Sequence, residues 1–228
     1  MLAFFARTDD LLRGRPWATQ SIDARRAVLQ LIGLLFLFSM LYGAAMGTYG
    51  GFHGERAYQV LFSALKVPLL LTTVFAISLP SYFVLNTLLG LRDDFVESLR
   101  AIIAAQAGLA VILASLGPLT LLWYASSPPT GPAYEAAVMF NGLMFGVASI
   151  SAQWLLRCYY RPLIARNPRH RWALRCWLVI YIFVGIQMAW LLRPFVGDPQ
   201  YAVQFFRPEA WGNAYEKIGH TLLRLVVN

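Results

Sequence analysis

Five apolar runs of about 20 residues recur along the chain, at 27–47, 67–90, 101–124, 136–156 and 174–192, with short polar stretches between them. A helix rises about 1.5 Å per residue, so each run is long enough for the roughly 30 Å hydrocarbon layer of a bilayer. The stretch from Arg56 to Gly90 exceeds one span, and periodicity divides it. Arg56, Gln59, Ser63 and Lys66 recur at spacings of three, four and three on one helical face, while Tyr58, Leu61, Phe62 and Leu65 lie elsewhere on the wheel. This predicts an interfacial helix lying flat over 56–66, with Lys66 snorkelling to headgroups and Pro68 in the first turn of the second span. Pro80 is expected to kink that span, and the carbonyl freed near Ala76 to need a partner such as Ser78, Ser81 or Asn86. The pattern as a whole predicts an all-α integral membrane protein with five transmembrane helices plus interfacial amphipathic helices.

Composition agrees. Hydrophobic residues make up 58% of the chain and charged residues 13%, against roughly 45–50% and 25% in soluble domains. The expected organisation is an N-terminal cytoplasmic segment over 1–26, a five-span membrane domain over 27–192, and an external segment over 193–228. The last begins with an irregular aromatic stretch to Asn213. It ends in an amphipathic helix, Ala214 to Val227, with Tyr215, Ile218, Leu222 and Leu225 opposite Lys217, His220 and Arg224. Near the start, Leu2, Phe4, Phe5, Leu11, Leu12 and Trp17 suggest a segment lying on the membrane surface. Met1 to Ala6 is too short for a signal peptide core, so the first span is expected to remain in the protein.

The net charge of +8 is placed beside spans. Arg7, Arg13, Arg15, Arg25, Arg26, Arg92 and Arg100 fall on one side of the five-span reading, together with Arg157, Arg161, Arg166, Arg169, Arg171 and Arg175. Basic residues collect on the cytoplasmic side, which puts the N-terminus inside and the C-terminus outside. Folding 56–90 as a hairpin of two spans would translocate the densest basic loop, so five spans fit better than six. The skew to 17 Arg against two Lys suits a GC-rich bacterial genome, and the expected location is a bacterial inner membrane. Anionic headgroups are the expected partner of the loop 157–175, at about 1 kcal/mol per basic residue near the surface. Tyr159, Tyr160 and Trp172 among its arginines would also suit RNA, but the inside rule already accounts for every Arg and no nucleic acid is expected.

Gly43 with Gly47, and Gly142 with Gly146, are GxxxG pairs in the first and fourth spans. Ser39 extends the first stripe, and Ser149 and Gln153 the second. Small residues at this spacing let helices approach closely, here within the monomer, or else in a homo-oligomer or against another membrane subunit. Asp93, Asp94 and Glu97 form an acidic cluster that suits capping of the third span. The sharper alternative is a Mg²⁺ site of a lipid-modifying enzyme, for which no second acidic motif exists. Asn86, Gln106, Asn141, Gln153 and Gln187 are neutral polar groups in or near spans, which bond across helices or line a path. His53 and His220 are expected outside and His170 inside, so the histidines cannot converge. Cys158 and Cys176 flank a cytoplasmic loop, where neither a disulfide nor a zinc site is expected. No HExxH, GxSxG or P-loop is present. No catalytic residue, metal or cofactor is therefore assigned.

Ala64 to Pro68, Leu79 to Tyr82 continuing through Asn86 to Gly90, and Gln187 to Trp190 ahead of Arg193–Pro194–Phe195 together resemble bacterial multi-spanning proteins of the Yip1 type. The resemblance covers roughly Ala64 to Val196. It implies a cytosolic N-terminus, five closely packed spans and membrane trafficking partners. The N-terminal domain is short here, and the acidic and Tyr-Gly-Pro patterns of the eukaryotic members are missing, so no functional residue carries over. The expected role is a non-catalytic subunit or scaffold of a membrane assembly. The alternatives are a small-solute or lipid transporter, whose cavity Asn86, Asn141 and Gln153 would line, and the lipid-modifying enzyme.

Overall fold

The computed structural model describes residues 8–13, 24–51, 53–127, 132–198 and 201–207. Five long helices carry the fold: α1 Ala24–Gly47, α2 Arg56–Leu88, α3 Phe95–Ser126, α4 Pro132–Arg166 and α5 His170–Leu192. All five are long and apolar enough to cross a membrane. The expected helix Ala214 to Val227 lies outside the described residues.

The first correction concerns α2. Arg56–Leu88 is one continuous helix of 33 residues with Pro68 and Pro80 inside it, so there is no separate flat helix over 56–66. A Pro interrupts one intrahelical bond, and here the rest of the ladder continues past it. At about 50 Å, α2 is longer than a roughly 30 Å hydrocarbon layer. Two of the three expected partners for the carbonyl at Ala76 do not serve it: Ser78 Oγ is buried without a hydrogen-bond partner, and Asn86 Nδ2 donates to Tyr82 O at 2.9 Å.

The end of α2 is set by Gly90. With φ of 71°, it takes the left-handed position that lets Leu91 N–H reach Asn86 O at 2.8 Å and Gly90 N–H reach Thr87 O at 3.1 Å. This is a Schellman stop, closed by the buried Leu91.

The helices form an open arc. α1 packs along both α2 and α3, α4 packs on α3, and α5 packs on α2. α2 and α3 scarcely touch, and neither do α4 and α5, although only residues 167–169 separate the latter pair. The order around the arc is therefore α5, α2, α1, α3, α4, with a gap between its two ends. Close approach of α1 and α2 depends on glycine: a Cβ on Gly43 would collide with the Ser63 carbonyl oxygen, and one on Gly47 would stand 2.6 Å from Val60 Cα. The core runs through Leu31, Leu34 and Tyr42 of α1, Tyr82 of α2, Ile102 and Leu113 of α3, Tyr160 of α4 and Trp177 of α5, all buried. Leu11, expected at a membrane surface, joins this core, and its carbonyl accepts from Tyr159 Oη at 2.7 Å.

Candidate functional site

Three groups of polar side chains lie in the bundle, one at each end of its long axis and one within the gap of the arc. At the end where α2 begins, Gln59, Ser63 and Lys66 are fully buried, while Tyr58, Leu61 and Leu65 on the other face are exposed. The periodicity found the right face and the wrong surroundings, because residues 193–198 and 201–207 fold back over the polar side. Lys66 Nζ donates to Pro194 O at 2.6 Å, so Lys66 does not snorkel. Gln59 Nε2 and Ser63 Oγ both donate to Phe195 O, and Arg56 donates to Asp198 O at 3.1 Å. Lys66 Nζ also lies 4.9 Å from the Phe205 ring centroid. An irregular backbone near hydrocarbon must have its carbonyls satisfied, and here one helical face supplies the donors. Burial, then the nearby Asp198 carboxylate and Tyr134, raise the Tyr49 phenol above its ordinary value.

At the opposite end, Arg166 grips Glu97 through two bonds of 2.7 and 2.8 Å and lies 3.5 Å from Asp94. The buried His170 ring meets Asp94 Oδ2 through Nε2 at 3.0 Å. Asp94 makes no side-chain capping bond to α3. The capping expectation is thus corrected: these carboxylates fasten the start of α3 to the α4–α5 turn. Among the described residues, no group of three or more His, Cys, Asp or Glu is arranged to hold a metal ion. Deeper in, the Tyr82 and Tyr160 hydroxyls are hydrogen-bonded to each other, and Trp177 packs edge-on against Tyr82 at 5.0 Å.

The gap between α4 and α5 opens into a cavity of about 1300 Å³. Its walls are Leu70, Leu71 and Val74 of α2, Ile102, Ala105 and Leu109 of α3, and facing residues of α4 and α5. Polar groups are few and placed. Tyr181 Oη of α5 donates to Gln106 Oε1 of α3 across the interior at 2.9 Å. Asn141 of α4 donates to Tyr124 Oη at 2.6 Å and accepts from Tyr42 Oη at 3.2 Å. Arg157 lines the cavity towards the Asp94 end, and Arg193 and Arg207 towards the Lys66 end.

The sequence-predicted residues divide between these places. Gly43 and Gly47 form the α1–α2 seam. Gly142 and Gly146 do not serve as an intramolecular seam: nothing lies within 4 Å of where a Cβ would stand, because α4 splays from α5, and both glycines line the cleft with Ser149 and Gln153. Of the three polar residues proposed for a cavity wall, Asn141 and Gln153 are there, whereas Asn86 is buried elsewhere against Tyr82. Arg157, Arg161, Arg169, Arg171 and Arg175 are exposed, with Arg169 donating to Leu89 O. Arg166 is exposed as well and is engaged by Glu97. Tyr134, Tyr181, Arg193 and Arg207 were missed as cleft residues. Arg193 had one usable signal, its position beside Pro194 and Phe195 directly after a span.

No family model, curated protein or solved structure matches this chain.

Proposed function

We propose that this chain is a non-catalytic multi-pass protein of a bacterial inner membrane, N-terminus cytoplasmic, that admits a bilayer lipid into the α4–α5 cleft. The cleft itself carries this reading. Its volume of about 1300 Å³ exceeds the roughly 300–1,000 Å³ usual for drug-sized ligands, which favours a lipid over a small solute. Its wall is mostly apolar, and exposed apolar side chains of both helices line it, Met139 and Ile150 of α4 and Ile182 and Ile186 of α5, which suits acyl chains. Native mass spectrometry of the full chain in mild detergent tests it. A retained lipid mass is expected in the wild type and its loss in Gly146→Trp, which fills the cleft. A lipid-free wild type with an unchanged melting temperature on lipid addition would sink the reading.

A second reading, as a subunit or scaffold of a membrane assembly, is favoured by the exposed stripe of Gly142, Gly146 and Ser149, which suits a partner helix. Stoichiometric copurification of another membrane chain, lost in Gly146→Trp, would support it over the lipid. The Yip1-type resemblance belongs to this reading.

A further inference from the structure

We infer that the cleft selects lipids by a phosphate-bearing headgroup, held at the Lys66 end by Arg193 and Arg207, with the acyl chains running along Gly142, Gly146 and Gly185. This rests on the lipid reading and deepens it.

The two ends of the cleft are chemically different. Towards the Asp94 end, its lining carries the single exposed Arg157, on the surface of α4. At the Lys66 end, two guanidiniums from the folded-back segment converge on the lining. Each is oriented. Arg207 donates one N–H to Tyr134 Oη at 3.0 Å, and the Arg193 guanidinium carbon lies 3.3 Å from the Trp190 ring centroid. A guanidinium carries five N–H donors in a planar fork, of which the Tyr134 bond engages one, and that fork matches phosphate oxygens. Among the described residues at this end, the carboxylates are Glu135 in the lining and Asp198 close to Tyr134, against the guanidiniums of Arg193, Arg207 and Arg56 and the Lys66 ammonium. Held this way, the arginines offer charge-assisted bonds at the aromatic level of the wall, where a headgroup sits.

From Tyr134 to Ser149, α4 rises about 22 Å, more than half a hydrocarbon layer. A lipid with its phosphate at Arg207 would thus lay its chains against the glycine wall. Gly185 of α5 faces this space, with Val74 Cγ1 the neighbour at 3.9 Å from a Cβ there. Small residues on both helices leave room for chains rather than side chains.

The test measures binding of three lipids with the same two oleoyl chains to the full-length protein by native mass spectrometry: phosphatidylglycerol, phosphatidylethanolamine and dioleoylglycerol. Both phospholipids are expected to bind about tenfold or more tighter than dioleoylglycerol, a margin consistent with charge-assisted bonds to phosphate. Arg193→Gln and Arg207→Gln should erase most of that preference while dioleoylglycerol still binds, and Arg157→Gln should leave it intact. Equal binding of all three lipids by the wild type, which needs no variant to fold, overturns the headgroup assignment and leaves the lipid cleft standing. Loss of preference in Arg157→Gln alone also overturns it. Failure of all three lipids to bind removes the underlying lipid reading instead.

Discussion

Lys66, in the third turn of α2, donates its ammonium proton to the carbonyl oxygen of Pro194 at 2.6 Å across 128 residues of sequence. The bond makes α2 the support for the segment that closes one end of the cleft. Lys66→Met leaves that carbonyl without its charged donor, a loss of about 1.5–3 kcal/mol. A lower melting temperature in detergent and faster proteolysis between 193 and 207 are expected. Wild-type behaviour in both assays would show that the segment is held by Gln59, Ser63 and apolar contacts alone.

The glycines separate by position. Gly43→Ala and Gly47→Ala force α1 off α2 and should each destabilise by about 1–3 kcal/mol, as overpacking does. Gly142→Ala and Gly146→Ala meet nothing and should be neutral, or stabilising by about 0.5–1 kcal/mol through helix propensity. Thermal melts of the four variants in one detergent decide the matter, and equal effects across both pairs would contradict the arrangement of α4.

At the Asp94 end, two neighbouring carboxylates should respond unequally. Glu97 and Arg166 are both about half exposed, so Glu97→Gln should cost under about 1 kcal/mol. Asp94→Ala removes the partner of a ring nitrogen on the fully buried His170 and should cost about 1–3 kcal/mol. Comparing the two variants by denaturant or thermal unfolding checks the order, and a larger loss for Glu97→Gln would reverse it.

Sidedness has its own measurement. Reporter fusions at positions 95, 130 and 165 are expected to read inside, outside and inside, following the basic residues. An outside signal at 165 would invert the orientation and place the Arg193–Arg207 end in the cytoplasm.

How much of this was legible in the sequence differs from element to element. Five long apolar helices followed from run length alone, since no other backbone arrangement satisfies itself over such stretches in hydrocarbon. The polar row Arg56, Gln59, Ser63 and Lys66 was found correctly as a face. Periodicity reports which residues share a side, though, and not what covers it, and carbonyls of an irregular segment at 194–198 can replace water. The two GxxxG pairs look alike in sequence and differ in space, because α1 has a helix against its stripe and α4 has a cavity. The cleft was hidden for a related reason. Helices joined by a three-residue turn are expected to pack together, and α4 and α5 instead find their neighbours on opposite arms of the arc.

That arc gives the molecule the mechanics of a half-open book. α1 is the spine, with α2 and α5 as one cover and α3 and α4 as the other, and the covers scarcely meet along their inner margins. The α4–α5 turn joins the covers at the Asp94 end, and the His170–Asp94 contact ties α5 to the start of α3 across them. At the far corner the covers are tied through one phenol, Tyr134 of α4, which accepts from Arg207 and donates to the Val196 carbonyl, so a small tilt of one cover against the other is resisted there by two hydrogen bonds. Substitutions along Gly43 and Gly47, on the side of the bundle away from the cleft, would change how wide that corner stands.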